Sequence, residues 1–185
     1  MATWGKCDFQ QIKELQERIQ KLEGTDFEAF CNACAKELAA RLLAKVIKRT
    51  PVGDYNTYET NADGTKKLDE KGKAIIKHKS AKKGGTLRRG WTAKTEDEAK
   101  SGGKGDAVAW ANSLPITKSG NIIQIEITNP VNYASYVEYG HRTKNHKGWV
   151  KGQFMLTISE QELDAQAPKI LEQKLAKYLG ECFNG

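Results

Sequence analysis

Apolar residues recur every three or four positions in three long segments, and this spacing predicts three helices. The segments are residues 9–23, 26–49 and 154–179. Pro51 stops the second helix, because a residue that precedes proline is pushed away from helical backbone angles. Pro168 lies inside the third helix and is expected to kink it or divide it in two.

The middle of the chain alternates apolar and polar residues, which is typical of strands. Residues 87–94, 107–114 and 122–128 are predicted strands, and the third shows the clearest alternation. One face of such a sheet is buried and the other is polar, as in an antiparallel sheet covered by helices on one side. The pattern therefore predicts an α+β fold: a small, mostly antiparallel sheet of three or four strands packed against N-terminal and C-terminal helices.

A length of 185 residues suits one domain with a sizeable core. Within that single domain, residues 1–185, we expect an N-terminal helix in residues 1–24 and a C-terminal helix in residues 153–181, kinked near Pro168. No apolar run approaches the roughly 18 residues of a membrane span, so no membrane association is expected. The N-terminus lacks the apolar core of a signal peptide, and we therefore expect synthesis in the cytoplasm.

The positive charge is concentrated in one segment. The chain has a net charge of +7, yet residues 65–94 alone carry eleven Lys or Arg against two acidic residues. Apolar content is low around this segment, so residues 55–84 are predicted to be a basic inserted loop or weak hairpin. The simpler interpretation is a solvated loop; the functional one is contact with DNA or with an acidic partner. The residues that could make this contact are Lys66, Lys67, Lys77, Lys79, Lys82, Lys83, Arg88, Arg89 and Trp91.

The sequence carries no recognisable catalytic constellation. Cys31 and Cys34 have the C-x2-C spacing of zinc ligands, but no matching second pair follows, and both thiols also fall on the apolar stripe of a predicted helix. Glu138 and His141 could form an acid–base pair, although a carboxylate and an imidazole that fix a turn or an inter-subunit contact are commoner. We therefore predict that the protein is not an enzyme, needs no cofactor or metal, and has no small-molecule substrate.

Three motifs follow one another along the chain: TPV at residues 50–52, GTLRRGW at 85–91 and NPVNYASYVEYGH at 129–141. In this order they resemble the tail-completion (neck) proteins of tailed bacteriophages. That family includes relatives of the minor tail protein Z of lambda-like phages, and copies in prophages and phage-tail-like bacteriocins. Its usual pattern passes directly from Pro-Val to Gly-x-Leu-Arg, whereas an insertion separates the two here.

The resemblance implies a tail-terminator-like fold and a structural role at the neck or upper tail end of a virion or tail-like particle. There the protein would act in tail completion and head–tail joining as a homo-oligomeric ring, with a hexamer favoured. Its partners would be tail tube, tail terminator, sheath or head-connector proteins, with DNA contact in the channel as a further option. The residues proposed for contacts between subunits are Tyr133, Tyr136, Glu138, Tyr139, His141 and Trp149.

The alternative is a DNA-binding accessory protein of a mobile element that grips phosphates with residues 65–94. Lysines and arginines interleaved with Trp91 suit backbone contact and base stacking. However, the sequence shows no RRM, KH or helix-turn-helix signature.

Overall fold

A computed structural model describes residues 25–103, 105–120 and 122–184, together with the single positions Glu17 and Gln20. The helix predicted over residues 9–23 lies outside the described ranges. The described chain divides into two compact units. Unit one contains residues 25–44, 107–127 and 157–184, and unit two contains residues 45–106 and 128–156.

Pairs of strands are interspersed among the helices along the chain. The helices are α1 (Thr25–Arg49), α2 (Thr86–Gly90), α3 (Glu96–Ser101), α4 (Ala107–Ser113), α5 (Ala134–Tyr139) and α6 (Met155–Asn184). The strands are β1 (Thr57–Tyr58), β2 (Ile76–His78), β3 (Thr117–Ser119), β4 (Ile122–Gln124), β5 (Gly140–Arg142) and β6 (Trp149–Lys151).

Helix α1 confirms the prediction for residues 26–49. Its most deeply buried side chains are Leu43 and Val46, both fully buried, while Leu38 and Leu42 are half-buried. Helix α6 continues through Pro168 without a break. Among the described residues, no helix combines the length and the apolarity that crossing a membrane requires.

In unit one, α1 and α6 are joined by aromatic and ionic contacts. The rings of Phe30 and Tyr178 stack with their centroids 4.6 Å apart. The Glu37 carboxylate forms an ion pair with the Lys174 ammonium at 2.5 Å. Lys36 on α1 donates to the backbone carbonyls of Asn112 at 2.5 Å and Leu114 at 2.6 Å, which satisfies acceptors at the end of α4.

Two predicted strands are wrong, because both segments contain short helices. Residues 87–94 include most of α2, in which Leu87, Gly90 and Trp91 are buried at the spacing i, i+3, i+4 of one helical face. Residues 107–114 form α4, which is rich in alanine, the strongest helix former. In both segments, the few alternating apolar residues are a weaker determinant of structure than the preferences that favour a helix.

The α+β class is confirmed, but the single sheet of three or four strands is wrong. The described strands form three separate two-stranded antiparallel sheets, β1–β2, β3–β4 and β5–β6. Of the predicted strand at residues 122–128, only Ile122–Gln124 pairs with a neighbour. The alternation nevertheless continues in burial, since Ile123, Ile125 and Ile127 are half-buried and the residues between them are exposed.

The insertion in unit two folds as an antiparallel arm. Strand β1 pairs with β2, and isolated bridges join Thr60 to Lys66 and Leu68 to Ala74. Two turns with the same backbone hydrogen bonds lie eight residues apart, at residues 61–65 and 69–73. In each turn the first residue donates its amide to the fifth, and the glycine at the fourth position donates to the first. All of residues 55–84 are exposed or half-buried.

Candidate functional site

Thr50 links the first two sequence motifs in the interior of unit two. Its side chain is fully buried, donates a hydrogen bond to the Val46 carbonyl at 2.6 Å, and accepts one from Trp91 Nε1 at 2.8 Å. The Thr50 carbonyl also accepts two hydrogen bonds from the Arg88 guanidinium, from Nε at 3.0 Å and from Nη2 at 2.5 Å. These bonds hold the two ends of the insertion together.

Asn129 adds the third motif to this arrangement. Its Nδ2 donates to the Leu87 carbonyl at 2.8 Å, and its Oδ1 accepts from the Val131 amide at 3.2 Å. The backbone of Gly90 lies so close that a Cβ atom there would be 2.2 Å from Asn129 Oδ1. We call Thr50, Arg88, Trp91 and Asn129 the motif junction, because these residues bring all three motifs together.

Glu138, from the third motif, fixes the start of helix α6. Its side chain is buried, and its Oε2 accepts a hydrogen bond of 3.0 Å from the Leu156 amide in the first turn of the helix. Phe154, the residue just before α6, has a φ of 49° and donates its amide to the Glu138 carbonyl at 3.0 Å. A carboxylate at a helix N-terminus satisfies an otherwise unpaired amide and complements the helix dipole. Glu138 therefore makes a structural contact within its own chain.

The neighbouring aromatic residues point to solvent instead. Tyr136, Tyr139 and Trp149 are 58%, 62% and 63% exposed. The Tyr136 ring lies 5.9 Å from the exposed His141 ring, and His141 pairs with Val150 across the β5–β6 sheet. Trp149 pairs with Arg142, so its side chain leaves the opposite side of the β5–β6 ribbon from His141 and Val150. We call Tyr136, Tyr139, His141 and Trp149, the exposed rings around α5 and this ribbon, the aromatic face. Tyr133, at the start of α5, is less exposed, at 38%.

The basic residues predicted to contact a partner separate into two groups. Lys66, Lys67, Lys77, Lys79, Lys82 and Lys83 are exposed on the arm and its C-terminal end. Lys66 lies 3.6 Å from the centre of the Tyr58 ring, and Lys67 pairs with Glu59 at 3.7 Å.

The second group, Arg88, Arg89 and Trp91, is engaged inside unit two. Arg89 donates to the Ala99 carbonyl at 2.8 Å and to the Gly84 carbonyl at 3.2 Å. Trp91 is only 4% exposed, so its ring is not displayed for base stacking. Sequence reasoning missed this structural role, which the helical spacing of Leu87, Gly90 and Trp91 could have indicated.

Cys34 is buried, and burial raises the pKa of its thiol, which therefore stays protonated and packs as a small apolar group. Cys31 is half-buried one helical turn before it. In residues 25–103, 105–120 and 122–184, no group of three or more His, Cys, Asp or Glu side chains is arranged to hold a metal ion.

Comparison with known protein families gives one match over most of the chain. The model of the HK97-gp10-like family, described as "Bacteriophage HK97-gp10, putative tail-component", matches residues 13–140. The matched range contains the motif junction and α5, and it ends at the first residue of β5. Neither the curated proteins nor the solved structures gave a match.

Proposed function

The chain belongs to the HK97-gp10-like family of bacteriophage tail components, and from this premise we propose that it completes the upper end of the tail. In this role it sits at the neck of a virion or tail-like particle and joins the tail to the head connector. It acts as a structural protein, by assembly and without catalysis.

The aromatic face is the observation that carries this proposal. Tyrosine and tryptophan are enriched at the centres of protein interfaces, where each buries a large area at little cost in side-chain entropy. Here Tyr136, Tyr139 and Trp149 are exposed next to an internally bonded scaffold that fixes their backbone. Burial of this face against the next subunit supplies the free energy of assembly.

A repeated contact between different surfaces of identical chains closes into a ring when the rotation allows it. We propose such a ring, with six subunits favoured, that contacts tail tube, terminator, sheath or connector proteins. The exposed lysines of the arm then face an acidic neighbour or DNA in the channel, and they set the rate and register of encounter.

Gene inactivation in the parent phage or prophage tests this function. Loss of the protein is expected to leave unjoined heads and incomplete tails, which sedimentation and electron microscopy separate from whole particles. Complementation with Trp149→Ser should restore far fewer particles than Val108→Ser, since Val108 is an exposed residue of unit one, outside the aromatic face. Equal particle yields from both variants would contradict the role of the aromatic face.

A second candidate function, DNA binding in a mobile element, is favoured by the exposed lysines at positions 77, 79, 82 and 83. The internal bonds of Arg88 and Arg89 weaken it, because the guanidinium groups best suited to phosphate are already engaged. Duplex binding that falls steeply with added salt would favour this function; tails that complete normally without the protein would add to that case.

A further inference from the structure

A cleft of about 500 Å³ opens in unit two beside the motif junction. This volume is within the range of sites that hold a small ligand or a few residues of a peptide. Its apolar lining includes Val52, Leu87 and Val137, which come from the three family motifs. Tyr55, Lys82 and Lys83, from the two ends of the insertion, also line the cleft.

Three lysines, Lys82, Lys83 and Lys100, also line the cleft, and none of its lining residues is acidic. The Lys82 ammonium lies 4.5 Å from the centre of the Tyr55 ring, a cation–π contact that orients the side chain. Lys100 is placed by Glu96 at 2.9 Å and Asp97 at 3.6 Å. The cleft therefore combines an apolar surface with several ammonium groups and two phenolic rings, those of Tyr55 and Tyr133.

We propose that this cleft binds an acidic segment of a neighbouring tail protein, with an apolar side chain of the segment against Val52, Leu87 and Val137 and its carboxylates at Lys82 and Lys83. The inference rests on the proposed function and adds the chemistry of one partner. Ammonium groups at the rim attract the acidic segment and fix its register, while the apolar contact slows its release.

The composition of the cleft favours a polypeptide over a nucleic acid. Bidentate recognition of a phosphate uses the arginine fork, and the guanidinium groups of Arg88 and Arg89 bond to carbonyls within unit two instead. The Tyr55 ring is already engaged by Lys82, so this contact competes with base stacking. A valine and leucine surface stabilises an apolar side chain but contributes little to contact with a phosphate backbone.

The insertion is clamped where it contributes to the cleft. A Cβ atom on Gly84 would lie 2.0 Å from the Gly53 carbonyl oxygen, so the two ends of the insertion pass each other as bare backbone. The Gly84 carbonyl also accepts a hydrogen bond from Arg89 at 3.2 Å. These contacts fix the backbone next to Lys82 and Lys83, and they give the chain a preformed lysine pair that the uninterrupted family pattern lacks.

Fluorescence anisotropy with the full chain and a labelled probe peptide, Glu-Glu-Leu-Phe-Glu-Glu, tests the proposal. The peptide is expected to bind and to shift the methyl NMR signals of Val52, Leu87 and Val137. Two control peptides separate the contributions: Gln-Gln-Leu-Phe-Gln-Gln removes the charge, and Glu-Glu-Ser-Ser-Glu-Glu removes the apolar anchor. Each is expected to bind about tenfold more weakly than the probe.

The double variant Lys82→Glu/Lys83→Glu should weaken probe binding by about tenfold or more. The matched control Lys71→Glu/Lys73→Glu makes the same charge change on an exposed turn of the arm and should leave binding within about twofold. Circular dichroism checks that both variants fold.

Absence of probe binding, an equal loss for both double variants, or tighter binding of a short DNA duplex than of the probe would each overturn the proposal. All three results leave head–tail joining open, because gene inactivation tests that function without reference to the cleft. Conversely, a chain that binds the peptide at the cleft while tails complete without it would refute the neck function alone.

Discussion

Trp91 Nε1 donates a 2.8 Å hydrogen bond to Thr50 Oγ1, and the two buried residues are 41 positions apart in the chain. The insertion lies between them, so this bond and those from Arg88 to the Thr50 carbonyl close the fold across the inserted segment. Thr50, Arg88 and Trp91, which belong to the motifs that resemble the phage family, therefore serve here to hold the scaffold.

Replacement of Thr50 by valine keeps the side-chain shape but removes the acceptor for Trp91. A buried donor left without a partner costs about 1–3 kcal/mol, so the free energy of unfolding in urea should fall by that amount. Thr128→Val provides a matched change at an exposed position and should cost under about 0.5 kcal/mol. Equal losses for the two variants would argue against the junction.

Deletion of residues 55–84, with Asp54 joined to Gly85, should leave the fold intact. The deleted segment contains no buried residue, and loop closure changes by only about 0.6 kcal/mol for each doubling of loop length. The melting temperature should stay within a few degrees of the parent, while the yield of complete particles falls because the basic arm is lost. An unfolded deletion variant would show that the arm belongs to the core, and normal particle yields would show that it is a solvated loop.

Glu138→Ala removes the acceptor for the Leu156 amide at the start of α6. Loss of a helix cap costs about 0.5–2 kcal/mol, and the alanine leaves a part-buried amide without this partner, so we expect a loss at the upper end of that range in denaturant unfolding. Glu138→Gln keeps a side-chain oxygen and should retain most of the stability. A Glu138→Ala variant that unfolds like the parent but fails to assemble would instead favour an inter-subunit role.

Glu37 should make unit one sensitive to acid. Hydrogen bonds from Lys174, the larger cause, and from Arg41 hold the pKa of Glu37 below its ordinary value in the folded state. The stability from this carboxylate is therefore present above the unfolded-state pKa of about 4.3 and is lost as the pH falls through the lower folded-state pKa. Glu37→Gln and Lys174→Met should both flatten the acid limb of a plot of stability against pH; unchanged slopes would refute the coupling.

The sequence predicted the long helices better than the central elements. Helix α1 follows from a wide apolar stripe over 25 residues, where periodicity leaves little ambiguity. Residues 87–94 and 107–114 are too short for such averaging, and the few alternating apolar residues in each wrongly favour a strand over the short helix that forms. Each observed ladder joins neighbouring strands of the chain. Whether such strand pairs also join one another depends on tertiary contacts, so three separate two-stranded sheets could not be distinguished from one sheet by the strand pattern.

The sequence identified residues of the candidate site, but it did not reveal what some of them do in the fold. Tyr136, Tyr139 and Trp149 are exposed and remain the proposed contacts between subunits. Glu138 and Trp91 carry polar groups that are typical of surfaces, yet each is buried beside a backbone or side-chain partner that lies far away in the sequence. Such pairings arise only when the fold brings the partners together.

Localisation of the protein within an assembled particle tests the account most directly. Cryo-electron microscopy of particles that carry a tagged copy of the chain should place one ring of density at the head-proximal end of the tail, with the aromatic face of each subunit against its neighbour. Density repeated along the tail tube, or particles that contain no copy of the chain, would contradict the proposed role in tail completion.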